Sequence, residues 1–419
     1  MTHEWDWEPG EKIVADLGQW SAQFEWTEEP QVSPDGEKIA AVVNTGSYEF
    51  DVCINNDLWG TTYERIWYLR YAPDGRLTAL ISDMGEYTIC VDGTPWEERF
   101  SFIWDTKFSE ESGSIAAAVQ NDMRYGVVLN GRPWEQMFDN ANQFILSADG
   151  QKTAAVVQTI SLGQAEIFKF QEGCFTVAVD GKPWERNFVN AWTPTFDAKG
   201  KHVAAQVRTT LYDYTIAVDG QPWSKTFSCV WEPRFNPVNR SVVAPVRIDG
   251  KWGLALDEQI LWQAKFVQLW HQQFSPDGEQ IAAIVAPKFG QWTVALDGIP
   301  WKSRFNDLVT DMVYSPNGKR IAALGKNGQK WFVVVDDHVW NKAYDMVWKP
   351  VFSPDSEHVA VKVELGKRYT IAIDGIEYNE DFDAVWEPVF SPDSKKLMIR
   401  AVKGEKYYRI IVPVEDIKK

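Results

Sequence analysis

The chain has 419 residues, with 42 Lys and Arg set against 59 Asp and Glu, and its formal net charge is −17. That balance excludes the usual nucleic-acid binder and the usual binder of anionic lipid, since both need a basic surface, and no Lys/Arg run marks a local basic patch. Hydrophobic content of 45% and charged content of 24% are ordinary for a globular protein, so the 22 tryptophans are the anomaly to be explained.

The chain starts MTHEWDWEPGEK, with neither a basic n-region nor an apolar h-region. No stretch approaches the ~18 apolar residues of a membrane span. Cys53, Cys90, Cys174 and Cys229 stand far apart, so no C-x-x-C or haem-attachment motif exists. The expectation is a cytoplasmic protein whose thiols are small buried hydrophobes.

From residue 33 onward a turn related to Ser-Pro-Asp-Gly recurs. It begins at positions 33, 72, 109, 147, 197, 236, 275, 315, 353 and 391, with one long step between 147 and 197. The clearest unit is residues 274–305, FSPDGEQIAAIVAPKFGQWTVALDGIPWKSRF. Pro fixes φ and Gly tolerates positive φ, which sets the first turn. A β-branched run follows, as at 39–43, 281–285 and 359–363, and suits a strand buried on both faces. A third segment ends in Asp-Gly or Asn-Gly, the strongest two-residue hairpin signal. A fourth begins with Pro-Trp, and Pro is tolerated on an outer edge strand.

Four short strands repeating about every 39 residues are the blade of a β-propeller. The expected fold is therefore all-β: a single closed propeller domain, residues 1–419, of about ten four-stranded blades. The tenth unit lacks a fourth segment. Residues 1–14 read as an extension, and the stretch from Ala15-Asp16 through Trp20 to Phe24 matches Val218-Asp219 through Trp223 to Phe227. The N-terminal strand is expected to complete the last blade.

One segment departs from the repeat. Residues 158–173, QTISLGQAEIFKFQEG, lie between the second and third strands of the fourth unit, where other units pass in a few residues. The insert carries Ile160, Leu162, Ile167, Phe168 and Phe170. It reads either as a long hairpin packed on its own blade or as a docking element, because exposed apolar surface marks contact sites. Trp5 and Trp7 also lie outside the repeat, and with the insert they are the candidate partner-contact residues.

The residues that invite a chemical reading are otherwise placed by the period. Nine tryptophans (20, 59, 96, 134, 184, 223, 262, 301 and 340) share the fourth-strand position, and eight (26, 67, 104, 192, 231, 270, 348 and 386) start the first strand. Trp252, Trp292 and Trp331 begin the third strand, where Phe50, Tyr87, Tyr125, Phe175, Tyr214, Tyr369 and Tyr408 stand in other units. Burying an indole contributes about 5 kcal/mol gross, so aromatic layers can hold thin blades together. His202 and His358 occupy a slot filled elsewhere by Lys38 and Arg320, which reads as a solvated polar position; His3, His271 and His338 form no metal-ligand pattern with them. Asp92, Asp180, Asp219, Asp297 and Asp374 recur like a ring of carboxylates, and the hairpin turn explains their spacing. Glu377, Glu380, Asp381 and Asp383 read as a solvated acidic rim. No nucleophile elbow, P-loop or dinucleotide fingerprint is present. No catalytic, cofactor or metal residue is assigned.

The turn anchors resemble the WD40-like (TolB-type) propeller repeat over nearly the whole chain. The joint pattern Val-Asp-Gly-x-Pro-Trp, then Phe, then Trp-x-Pro-x-Phe-Ser-Pro-Asp is narrower. It is carried by residues 179–184 with 192–196, and by residues 386–393. With the Trp richness, it resembles the tryptophan-rich D-subunit family (TmcD) of the Tmc transmembrane electron-transfer complexes of sulfate-reducing bacteria. The resemblance implies a non-catalytic cytoplasmic scaffold, held at the inner membrane through an iron–sulfur subunit and a membrane cytochrome b subunit. Such a complex links periplasmic hydrogen oxidation to cytoplasmic sulfate reduction, with the redox centres on the other subunits. A free-standing propeller that binds a protein or peptide is the alternative. A propeller hydrolase or lyase would need off-repeat polar residues converging on a channel.

Overall fold

In the computed structural model, which describes residues 5–46, 48–164 and 166–417, 55% of the chain is strand and 4% helix. His3 lies outside the described residues. The chain is a β-propeller of ten four-stranded antiparallel blades. By compactness it divides into two units, Glu64–Phe274 and Met1–Tyr63 with Ser275–Lys419.

Within the unit Glu64–Phe274, blade 2 runs from Arg65–Tyr71 to Thr94–Pro95, blade 3 from Phe102–Phe108 to Arg132–Pro133 and blade 4 from Ala141–Leu146 to Lys182–Pro183. Blade 5 runs from Asn190–Phe196 to Gln221–Pro222 and blade 6 from Cys229–Val230 to Gln259–Phe266. The other unit holds blade 1 (Trp26–Thr27 to Asp57–Leu58), blades 8 to 10 and the second to fourth strands of blade 7.

The second strand of each blade is the innermost layer of the packing. Residues 39–43, 115–119 and 281–286 are buried without interruption, as suits runs that have no polar face to show to water. One cluster joins Leu80 and Ile89 of blade 2 to Ile115, Val119 and Val128 of blade 3. Another joins Val156 and Val177 to Val203 and Val207 across blades 4 and 5.

First strands carry a bulge one residue after the tryptophan position. Tyr68, Asp105, Gln143, Thr193, His271 and Asp311 all have positive φ, and the register of Trp67, Trp104 and Trp192 slips there. A bulge bends the strand and leaves one residue unpaired. Where Pro30, Pro233, Pro350 or Pro388 follows, the first strand breaks into two short pieces, such as Met346–Val347 and Val351–Phe352. Proline lacks the N–H that would continue the ladder.

The last blade is completed from the N-terminus, at a place earlier than the sequence match suggests. Gly10–Asp16 pairs antiparallel with Lys406–Pro413, from Gly10 opposite Ile411 to Asp16 opposite Lys406. Trp20 is not on that strand. It lies on a short helix, Leu17–Gln23, which the Asp16 carboxylate caps by accepting from the Gly18 N–H at 3.1 Å. The Trp20 indole N–H then donates to the Asn55 carbonyl of blade 1 at 2.7 Å.

A second correction concerns the aromatic slot of blade 10. The slot belongs to Tyr407, which is fully buried and lies 5.8 Å from the Trp386 ring, not to Tyr408. Val402 pairs with Tyr407 as Glu364 pairs with Tyr369 in blade 9. A one-residue slip exchanges the two faces of a strand.

Candidate interaction surface

The recurrent turn residues have internal partners. In the Ser-Pro-Asp-Gly turns the Ser275 hydroxyl donates to Asp277 at 2.5 Å and accepts the Gln280 N–H at 3.0 Å. Ser33–Asp35, Ser147–Asp149 and Ser391–Asp393 repeat the arrangement. The Ser275 hydroxyl, followed by the Glu279 N–H, holds the Asp277 carboxyl below its usual range, and Asp393 is held in the same way by Ser391 and Lys395.

The apparent ring of Asp-Gly carboxylates is also structural. Asp92, Asp180, Asp219, Asp297 and Asp374 each accept the N–H that opens the second strand of the same blade, at 2.8 to 2.9 Å. Each has positive φ, as the primed hairpin turn requires of its first central residue. His202 and His358 lie against this feature: their Nδ1 atoms stand 2.6 and 2.8 Å from Asp219 and Asp374. Both histidines are therefore bound to a turn carboxylate, a partner that their repeat position did not reveal.

One polar cluster lies where bulges expose side chains at the first strands. His271 stands 3.8 Å and Arg234 3.5 Å from Glu232, while the buried Gln272 amide donates to the Glu232 carbonyl at 2.5 Å. The nearby His271 ring lowers the Glu232 carboxyl below its ordinary value against the opposing effect of burial. The cluster holds a carboxylate in its charged form. Among the described residues, no group of three or more His, Cys, Asp or Glu is gathered as a metal site. No helix among them is long and apolar enough to cross a membrane.

The tryptophans that begin first strands pack on the third-strand aromatic of their own blade. Trp67–Tyr87, Trp104–Tyr125, Trp231–Trp252 and Trp348–Tyr369 have centroids 5.8, 6.2, 5.4 and 5.9 Å apart. The same third-strand residue pairs through its backbone with the Phe or Tyr that ends the fourth segment, as in Tyr87 with Phe100 and Tyr214 with Phe227. An aromatic pair thus ties the first strand to the third, which is the packing role expected of a residue type set by the period.

The insert of blade 4 is built differently. After Thr153–Gln158 the chain is tied down by the Thr159 hydroxyl on Asn187 at 2.9 Å and the Ser161 hydroxyl on Asp139. It then forms a helix, Ile167–Glu172, whose opening is tightened by the Gly163 N–H on Glu166 at 2.6 Å. Gly173 ends the helix at φ 106°, and a Cβ there would lie 3.0 Å from the Phe188 backbone. Only glycine lets the chain return so close to the end of the fourth segment of its own blade. Ile167 and Phe168 are exposed, whereas Ile160, Leu162 and Phe170 are partly withdrawn. A helix, not a hairpin, thus presents the apolar pair.

Trp5 and Trp7 are half-buried and stacked on each other at 6.2 Å. The Lys396 ammonium donates to the Trp7 carbonyl at 2.8 Å, which places them at the end of blade 10 where the first strand turns into the second. The insert occupies the opposite kind of end, between second and third strands, and belongs to the other unit.

No protein-family profile and no curated sequence matches the chain. Among solved structures it is similar to a crystal structure of a eukaryotic initiation factor, at 12% identity over 91% of this chain and 97% of that one, with a TM-score of 0.47. It is also similar to the Dos1 propeller, at 13% identity over 97% and 95% of the two chains, with a TM-score of 0.38.

Proposed function

We propose that this propeller is a non-catalytic docking subunit, a rigid protein-binding module within a membrane-associated redox assembly. The observation that supports docking is the blade-4 insert. It departs from the repeat, is anchored by hydrogen bonds from Thr159 and Ser161, and holds Ile167 and Phe168 out from the body. A regular blade needs no such element, and a helix that presents unburied apolar side chains suits a protein contact. The conspicuous carboxylates and aromatics, by contrast, have partners within the blades.

The identity of the assembly rests on the sequence resemblance alone. On that reading the partners are an iron–sulfur subunit and a membrane cytochrome b subunit, the chain lies on the cytoplasmic side, and the electron-carrying centres belong to the partners. The test is affinity purification of the tagged full-length chain from mild-detergent extracts of a sulfate-reducing host. Recovery of iron–sulfur and haem subunits with a propeller that is itself colourless supports the proposal. Recovery of a free monomer assigns the chain to the stand-alone binding modules, and a chromophore bound to the propeller itself overturns the non-catalytic reading.

A further inference from the structure

The insert is not alone in exposing apolar side chains at its end of the unit Glu64–Phe274. The hairpins that join second to third strands carry Met84 in blade 2, Met123 in blade 3 and Tyr212 in blade 5, exposed by 87, 81 and 81%. Phe168 of blade 4 is exposed by 83% between them in chain order. Four successive blades thus present a large apolar side chain at the same end, while blade 6 has the plain turn Asp249-Gly250.

Folding does not call for these residues. Met84 and Met123 have φ of 50° and 61°, a region where Asn, Asp or Gly is favoured and a bulky side chain is strained. Blade 6 uses Asp and Gly for the same task. Methionine at a strained turn, with its side chain in solvent, weakens the hairpin locally, so its advantage lies elsewhere. Methionine adapts its shape to an apolar partner surface.

The charges around the tips are biased toward carboxylates, with the exposed Arg65 opposite Ser82 the exception in blade 2. Arg124 is engaged by Asp139 at 2.7 Å, Lys169 by Glu166 at 3.3 Å, and Arg208 lies over the Tyr214 ring at 5.8 Å. Arg99 folds back onto the Trp96 carbonyl. The exposed carboxylates Asp83, Glu86, Asp122 and Glu172 take part in no ion pair among the described residues. Free negative charge therefore borders the apolar tips.

We infer that Met84, Met123, Phe168 and Tyr212 form one docking surface for a protein partner that presents an apolar face edged with lysine and arginine. The inference rests on the docking reading above and adds to it the surface and the chemistry of the partner. Complementary charge steers association and selects the partner. A second copy of this chain fits poorly, since it carries the same net charge of −17.

The test uses the full chain and a variant combining Met84→Asn, Met123→Asn, Phe168→Ser and Tyr212→Ser. Asparagine suits the left-handed turn positions and all four side chains are exposed, so unfolding temperature and circular dichroism should match the parent. The probe is a synthetic leucine/lysine amphipathic helix, with a leucine/glutamate helix as control. The parent should bind the lysine peptide in a salt-sensitive way, and the variant about tenfold more weakly. Replacing Asp83, Glu86, Asp122 and Glu172 by their amides should weaken the same peptide and flatten its salt dependence. Equal binding by parent and variant overturns the surface, and equal binding of both peptides overturns the charge assignment. Self-association of the parent that the variant abolishes would give the surface to a second copy and overturn the partner proposed. With the variant as bait in the affinity purification, retention of the redox subunits overturns this surface but leaves the docking reading standing. Failure of both baits sinks the redox-assembly reading, and the peptide experiment still decides the surface.

Discussion

The Arg400 guanidinium donates to the carbonyl of Ser33 at 3.0 Å, joining residues 367 positions apart in the chain. Its other terminal nitrogen donates to the Glu387 carbonyl at 2.7 Å. Beside it, the Tyr407 hydroxyl donates to the Gly36 carbonyl at 3.0 Å and Arg409 to the Asp35 carbonyl at 2.7 Å. Blade 10 thus clasps the first turn of blade 1 with two arginines and a tyrosine.

Arg400→Ala should lower unfolding stability by about 2–4 kcal/mol, because one buried and one part-buried carbonyl lose a charged donor. Arg400→Lys should recover little, since a single ammonium cannot serve both carbonyls in the geometry of the planar guanidinium fork. Gly36→Ala should also destabilise: φ is +74° and the added Cβ would meet Met398, Arg400 and Arg409 at 3.1 to 3.2 Å. Urea midpoints of the three variants check the expectation. A midpoint for Arg400→Ala equal to that of the parent would remove the clasp from the stability of the fold.

Deleting residues 1–16 removes the strand Gly10–Asp16 and leaves Lys406–Pro413 as a bare sheet edge. It also removes the carbonyls of Asp6 and Trp7, which accept from Arg409 and Lys396. The unfolding temperature should fall by many degrees, and the exposed edge should promote aggregation. An unchanged melting curve would rule out the strand as a structural part of blade 10.

The Ser–Asp turns make the protein sensitive to acid in a defined direction. The carboxyls of Asp277 and Asp393 lie below their ordinary values because serine hydroxyls and backbone N–H groups bind the charged form. A depressed folded-state value contributes stability that is fully present above the unfolded value, about 3.9, and is lost as the pH falls through the folded value. Loss of stability should therefore set in below pH ~4. The double variant Ser275→Ala, Ser391→Ala should show a shallower decline across that range in a pH series of melting temperatures, having given up part of the effect at neutral pH.

Cys53 is buried, and burial, followed by the nearby Asp51 and Asp57 carboxylates, pushes its pKa up to about 12. Few thiolates are present at pH 8, and thiolate is the reactive form. Cys90 and Cys174 are also buried, whereas Cys229 is half-exposed. In a thiol-disulfide reagent assay on native protein Cys229 should react first and slowly, and the other three should react only after denaturant is added. Rapid modification of Cys53 would contradict the packing between blades 10 and 1.

Much of the fold could be read in the chain because its signals are local. Asp297-Gly298 turns a hairpin wherever it stands, and a run such as Ile281 to Ala286 has no polar face to show to water. The aromatic slots were legible for the same reason, apart from the slip from Tyr407 to Tyr408, where two adjacent tyrosines leave the face of the strand open until the pairing with Val402 is known. The bulges at Tyr68, Asp105 and His271 were not legible. Their residue types have nothing in common, and what they share is a backbone conformation imposed by the pairing of neighbouring strands. In the insert, residues 158–173 announced themselves by length, yet the helix and the exposure of Ile167 and Phe168 rather than Leu162 depend on bonds to Asp139 and Asn187 elsewhere in the chain.

By itself the sequence determined the blades, their number, the turn chemistry and the acidic balance of the chain, since each follows from composition or from spacing within one repeat. Tertiary structure alone decided which residues of the N-terminal stretch form the strand that completes blade 10, how Arg400 and Tyr407 reach Ser33 and Gly36, and that Met84, Met123, Phe168 and Tyr212 stand at the same end of their blades. Those relations join residues from dozens to hundreds of positions apart, and no local propensity encodes a contact whose two halves meet only after the blades have formed.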